Sequence, residues 1–256
     1  MLDLIDTHCH IHFPDYELDP EEVIANASQL GVTKILCVGC TLEDSKLAIK
    51  MASKHENIWA TIGLHPHEAK EYVRNNVKLA DFHDLAASPR VVAIGEAGLD
   101  YHYNHSPRED QIKLLRFQLD IAVEHKLPLI FHVREAFEDF WQIFDEYKDI
   151  RGVVHSFSST KQNVSEVLKR GLYVGINGIM TFTKNADQLA AAKAIPLNKL
   201  LLETDSPHLT PTPYRGTVNE PKRVVSVAEF LSDLRGESLE QLAHATTANA
   251  KNLFGI

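Results

Sequence analysis

Eight short apolar runs, separated by stretches of helical periodicity, constrain this chain more than any other feature. They are Leu4–Thr7, Lys34–Val38, Ile58–Gly63, Val91–Gly95, Pro128–His132, Gly152–His155, Leu172–Ile176 and Lys199–Glu203. Each is rich in Val, Ile and Leu without strict alternation, the pattern of strands buried on both faces of a parallel sheet. Parallel neighbours need crossovers, and the intervening stretches carry helix start signals. Asp19-Pro20-Glu21-Glu22 offers an N-cap, Pro at the first helical position and an acid at N3, ahead of the stripe Val23, Ile24, Ala27 and Leu30 and the stop at Gly31. Ser106-Pro107-Arg108-Glu109 repeats the capping logic before a stripe of Ile112, Leu115, Leu119, Ala122 and Val123, and Ser238-Leu239-Glu240-Gln241 is a third box. Eight strand-helix units in 256 residues predict a (β/α)₈ TIM barrel, a single α/β domain over residues 1–256. The rival, a doubly wound open sheet, expects a Gly-rich phosphate loop after an early strand. Here the first run ends in Thr7-His8-Cys9-His10, with no glycine. The Pro-rich stretch Pro207–Pro221 after the eighth run reads as a functional loop on the same rim.

A net charge of −9 argues against broad, charge-driven nucleic-acid binding. It leaves a phosphodiester substrate open, because bound cations reverse the local sign of a site. The N-terminal residues Met1–Asp6 have neither a basic segment nor a signal-length apolar stretch, and no run reaches the length of a membrane span. Three cysteines give no disulfide framework, so a monomer in a reducing cytoplasm is expected, with no membrane partner.

Barrel active sites lie at the C-terminal ends of the strands. Histidines and acids gather there: His8 and His10 after run 1, His65 and His67 after run 3, Glu96 after run 4, His132 at run 5, His155 at run 6, Glu203 and Asp205 at run 8. Side chains alternate along a strand, so His8 and His10 share one face while Cys9 points to the other. By itself the His-x-His spacing fits a hydrogen-bonded pair as well as a chelate. Together with the other strand ends it favours a metal site. His8, His10, Glu96, His132, His155 and Asp205 are four imidazoles and two carboxylates, with no thiolate. Such donors suit Zn²⁺ or Mn²⁺, and Mg²⁺ if waters complete the shell. Six protein ligands exceed the usual three of one catalytic Zn²⁺ and fit two divalent cations sharing a carboxylate, for which Glu96 is the candidate. Cys37-Val38-Gly39-Cys40 matches Cys-x-x-Cys but lacks two further ligands, and reads as thiols in and beside strand 2. Glu203 reads as an acid that supports a ligand rather than one itself. His102 and His105 read as solvated loop residues, and His55, His83, His125 and His244 as surface residues of helices.

Asp6–His10, Gly63–His67, Gly95–Asp100, His132–Ala136, Glu203–Pro207, Asn219–Pro221 and Thr247–Ala250 together resemble the TatD family of metal-dependent deoxyribonucleases, in order from residue 3 to residue 255. The resemblance implies an amidohydrolase-like barrel in which His8, His10, Glu96 and Asp205 hold one metal, and Glu96, His132 and His155 the other. It also implies hydrolysis of DNA phosphodiesters, often 3′→5′ and aided by Mg²⁺ or Mn²⁺. Deacylation of mischarged tRNA is the family's second attributed activity. Two places depart from the family pattern. Ser156 and Ser159 stand where Cys and Gly are usual, and His208 stands where an aromatic residue is common. The expected mechanism has a cation-activated water attacking phosphorus, with Glu96 and Asp205 catalytic and Asp205 orienting or deprotonating the water. His65 and Arg134 are expected to contact the phosphate, and His208 to deliver a proton to the leaving oxygen. The expected substrate is DNA, as single-stranded ends. The alternative is an amidohydrolase-type enzyme cleaving ester or C–N bonds, such as a D-aminoacyl-tRNA deacylase. Many such sites bridge their metals with a modified Lys on strand 4, where this chain has Glu96.

Overall fold

The computed structural model describes residues 2–74 and 79–256. Among the described residues eight strands form one sheet in chain order. They are β1 (Leu4–Cys9), β2 (Val32–Val38), β3 (Ile58–Ile62), β4 (Val91–Asp100), β5 (Leu129–Arg134), β6 (Gly152–Val154), β7 (Tyr173–Ile176) and β8 (Leu200–Leu202). Helices separate every successive pair, which is the (β/α)₈ class expected from the apolar runs. Three strands run on past the expected ends, β1 to Cys9, β4 to Asp100 and β5 to Arg134. The added residues include His8, Glu96, Asp100 and Arg134.

By packing the chain divides into Met1–Cys37 with Val153–Ile256, and Val38–Gly152. In the first unit β1 pairs in parallel with β2, with Leu4 opposite Val32 and Cys9 opposite Cys37. There β6 pairs with β7, and β7 with β8. Leu4, Ile35, Leu36, Val174, Leu200 and Leu201 are fully buried, as are Val227 and Leu231 of the helix Val224–Arg235. Each such side chain contributes roughly 1.5–3 kcal/mol of transfer free energy. Asp19 caps the first helix by accepting from Glu21 N at 2.8 Å, and the Ser238–Gln241 capping box is complete. Gly175 on β7 leaves room for a neighbour: a Cβ there would run into the Glu203 carboxylate.

In the second unit β3 pairs with β4 and β4 with β5, all parallel. The β4–β5 register breaks between Ile94 and Ala97, then resumes with Gly98 opposite His132 and Asp100 opposite Arg134. Glu96 sits in that irregularity, so β4 presents Glu96 and Asp100 from one continuous segment. The helix Arg108–His125 departs from its expected stripe. Val123 is 48% exposed and Ile112 partly exposed, whereas Gln111 and Gln118 are fully buried beside Leu114, Leu115, Leu119 and Ala122. The reason is hydrogen bonding. Gln118 pairs with both Leu64 N and Leu64 O (2.8 and 2.9 Å). Gln111 accepts from Asp100 N and donates to Asp100 O and Ser106 O (2.8–3.0 Å). Ser106 does not cap this helix. Its hydroxyl donates to His67 O at 2.6 Å and accepts from Lys70 N at 3.0 Å. His55 lies beyond the helix Leu42–Ala52 rather than in it, while His83, His125 and His244 are helical.

Candidate metal centre

In the unit formed by residues 1–37 and 153–256, β1 carries His8 and His10 follows its last residue, both buried. The turn after β8 returns to meet them: Asp205 N donates to His8 O at 2.8 Å, and His10 N to Ser206 O at 2.7 Å. Asp205 holds a left-handed backbone (φ 58°), which aspartate tolerates better than most residues. Its Oδ1 lies 3.6 Å from His8 Nε2 and 3.4 Å from His10 Nε2, and the two nitrogens are 3.2 Å apart. For bonds of about 2.0–2.1 Å, neighbouring donors of a four-coordinate cation lie about 3.3–3.4 Å apart. The three atoms have that spacing. His155, following β6, stacks on His8 with ring centroids 3.9 Å apart, and forms a candidate ligand group with His8 and Asp205.

Burial pushes Asp205 up, but the His10 hydrogen bond and the charges of His8 and His155 outweigh it and hold the acid below the usual carboxylate range. Glu203 is fully buried; its Oε2 accepts from Ser156 N at 2.9 Å and lies 3.6 Å from His155 Nδ1. This is the position of an acid that orients a ligating imidazole. Ser156 Oγ accepts from Asn177 Nδ2 at 2.8 Å, so the serine has its own partner here. Asn219, in the loop Pro207–Pro221, donates to Thr204 O and His208 O at 2.9 and 2.6 Å, which ties that loop to the end of β8. The His208 side chain is exposed.

In the unit 38–152 the geometry differs in kind. His132 Nδ1 lies 2.8 Å from Glu96 Oε1, and its Nε2 2.9 Å from Asp100 Oδ2. His65 Nε2 is 3.5 Å from Glu96 Oε1, and His65, Glu96 and His132 form a second candidate ligand group. His65, expected at the phosphate, is therefore brought to two expected metal ligands. Arg134 is exposed, with its guanidinium 4.6 Å from the Tyr103 ring centre. Asp100 stands outside the six donors expected from the sequence. It is fully buried, takes His67 Nε2 at 3.0 Å on the same oxygen as His132, and accepts from His102 N and Tyr103 N at 3.0 Å each. Burial opposes its ionisation, but the hydrogen bonds from His132, His67 and Tyr103 N win and hold it far below the usual carboxylate range. Even-numbered parity with Glu96 along an extended strand was the available signal. A further group, His83 with Glu124 and His125, sits on partly exposed helix surface, with His83 Nε2 2.8 Å from Glu124 Oε2.

Burial drives His65 down to about 4, and the charge of Glu96 opposes this only in part. Unfolded histidine protonates near 6.5. Between pH 6.5 and about 4 the unfolded chain thus binds a proton that the native state refuses. The contribution of His65 to the stability of the metal-free protein falls as pH drops through that window and is constant above it, by about 3 kcal/mol in all at 1.36 kcal/mol per unit. Urea denaturation in EDTA at pH 7.5 and 4.5 checks this: His65→Asn loses that share of the slope, and a variant with the wild-type slope rejects it.

Parallel strands alternating with helices, whose ends present imidazoles and carboxylates at ligand spacing, define the class: a (β/α)₈ metal-dependent hydrolase. The profile of the TatD related DNase family matches residues 5–255. The metal-dependent hydrolase YabD of Bacillus subtilis (strain 168) is 39% identical over 255 residues, covering 99% of each chain. The 3′-5′ ssDNA/RNA exonuclease TatD of Citrobacter rodentium (strain ICC168) is 38% identical over 247 residues, covering 93% of this chain and 92% of its own. Among solved structures, YJJV, a TatD homolog from Escherichia coli K12, superposes with a TM-score of 0.91 at 30% identity, covering 99% of this chain and 98% of that one. The chain belongs to the TatD family. Among the described residues no helix is long and apolar enough to cross a membrane.

Proposed function

We propose that this chain is a 3′→5′ exonuclease acting on single-stranded DNA ends, working as a monomeric, cytoplasmic, single catalytic domain over residues 1–256. The observation that carries the hydrolytic reading is the 3.2–3.6 Å spacing of His8 Nε2, His10 Nε2 and Asp205 Oδ1, which suits the edges of a cation's coordination shell better than three hydrogen bonds. Relatives named as 3′-5′ ssDNA/RNA exonucleases support the substrate. Free cysteines at 9, 37 and 40 fit a reducing compartment.

His8, His10, His155 and Asp205 would hold one divalent cation, and Glu96, His132 and His65 a second. Mg²⁺, Mn²⁺ or Zn²⁺ would supply Lewis acidity at the phosphoryl oxygens and lower the pKa of water. Asp205, kept ionised, accepts the proton of the attacking water. Glu203 orients His155, and Asp100 orients His132 by accepting from Nε2, which leaves Nδ1 facing Glu96. Arg134 donates to the phosphate, and the exposed His208 delivers a proton to the leaving oxygen.

The test is a 5′-end-labelled single-stranded oligonucleotide, incubated with protein reconstituted in turn with each of the three cations, beside D-aminoacyl-tRNA. The expected result is a ladder shortening from the 3′ end and no release of the amino acid. Intact DNA with deacylated tRNA would transfer the site to ester cleavage on tRNA.

A further inference from the structure

We propose that Tyr103, in the turn between β4 and the helix Arg108–His125, is the platform on which a base of the single-stranded substrate stacks. This rests on the exonuclease reading and names where that substrate is held. Tyr103 is one of the few large apolar side chains left open, 53% exposed. Its position is nonetheless set before any ligand arrives. Its backbone N donates to the buried Asp100 carboxylate at 3.0 Å. Its ring stacks with His105 (centroids 5.6 Å, planes 16° apart), meets His102 edge-on at 4.7 Å, and carries the Arg134 guanidinium 4.6 Å from its centre. A prearranged ring loses little conformational entropy on binding.

The surroundings select a nucleotide over a purely apolar ligand. Arg134 is exposed and holds its guanidinium over the ring, so a base that stacks at this ring brings its own phosphate within reach of the guanidinium. Guanidinium and imidazole planes also stack bases in single-stranded recognition. The Tyr103 ring centre is 5.8 Å from that of His67, whose Nε2 shares Asp100 Oδ2 with His132. The platform therefore stands one side chain away from the Glu96–His132 donors, close to the reacting bond. Stacking is tolerant of base identity, which suits an enzyme that degrades strands of any sequence, and the acidic chain needs no broad basic groove to hold them.

Binding is read in EDTA, without turnover, by anisotropy of a 5′-fluorescein oligodeoxynucleotide in which one abasic site is moved stepwise from the 3′ end. One abasic position should weaken wild type about tenfold, the effect of a single lost stack. Tyr103→Ala should weaken the intact strand by a similar factor and become indifferent to that same abasic position, while Tyr103→Trp restores both affinity and sensitivity. Circular dichroism and thermal melts confirm that the variants are folded. Wild-type binding by Tyr103→Ala, or equal sensitivity of that variant to every abasic position, overturns the platform while strand degradation leaves the exonuclease intact. A wild-type protein that neither binds nor degrades the strand overturns both.

Discussion

Asp205→Asn should lower phosphodiester turnover by about 10²–10⁴-fold, the range for losing a positioned general base, while the fold survives. Asn has nearly the same shape and tolerates the left-handed backbone at this position (φ 58°), and the Asp205 N to His8 O bond of 2.8 Å does not involve the side chain. The proposed chemistry does depend on the side chain. Asp205 Oδ1 sits 3.4–3.6 Å from two imidazole nitrogens, and those histidines hold the carboxyl ionised. An amide brings no charge to a cation and takes no proton from water. Steady-state kinetics on a labelled oligonucleotide, metal content by mass spectrometry and circular dichroism separate the effects. Lost turnover with retained metal assigns Asp205 chiefly to proton transfer, and loss of both makes it a ligand as well. Wild-type turnover in a folded variant removes it from the mechanism.

Asp100→Ala should cost about 3–5 kcal/mol of stability, the range for deleting one partner of a buried, hydrogen-bonded charge pair. Four donors lose their acceptor at once: His132 Nε2, His67 Nε2, His102 N and Tyr103 N. Each buried donor left without a partner adds its own desolvation penalty. Asp100→Asn keeps one acceptor oxygen, enough for two of the four donors, and should cost less. Both variants should bind cations about 10–100-fold more weakly, because His132 is no longer held in one orientation and tautomer. Urea denaturation and calorimetric metal titration give the two numbers. A loss under about 1 kcal/mol for Asp100→Ala would mean that water replaces the carboxylate, and that His132 does not depend on it.

The extent to which the sequence anticipates this site follows from what periodicity records. The pairing of His8 with His10 at the end of β1 was legible because two-residue alternation is local and Leu4, Ile5 and Cys9 are buried. Glu96, His132, His155 and Asp205 are candidates in the sequence because each stands at or just past the end of an apolar run. Asp100 was not, because apolar content marked the strand as ending at Gly95, whereas the ladder continues through Gly98 opposite His132. A Cβ at Gly98 would meet the His132 carbonyl, so a glycine here is what lets the strand run on beside β5. Gln111 and Gln118 were hidden for a related reason: a hydrophobic stripe counts only apolar burial, and these amides are buried to satisfy backbone groups of Leu64 and Asp100.

Amino-acid order alone thus determined the alternation of strand and helix, the (β/α)₈ class and the strand ends at which the candidate donors stand, because burial patterning acts over a few residues. Tertiary structure alone decided that His65 joins Glu96 and His132, that Asp100 gathers two imidazoles and two amides, and that Tyr103 stands open beside Arg134. Those contacts link segments up to 67 residues apart in numbering, as from His65 to His132. Their distances depend on strand register and on turns whose hydrogen-bond partners lie on other elements, and no local pattern encodes them.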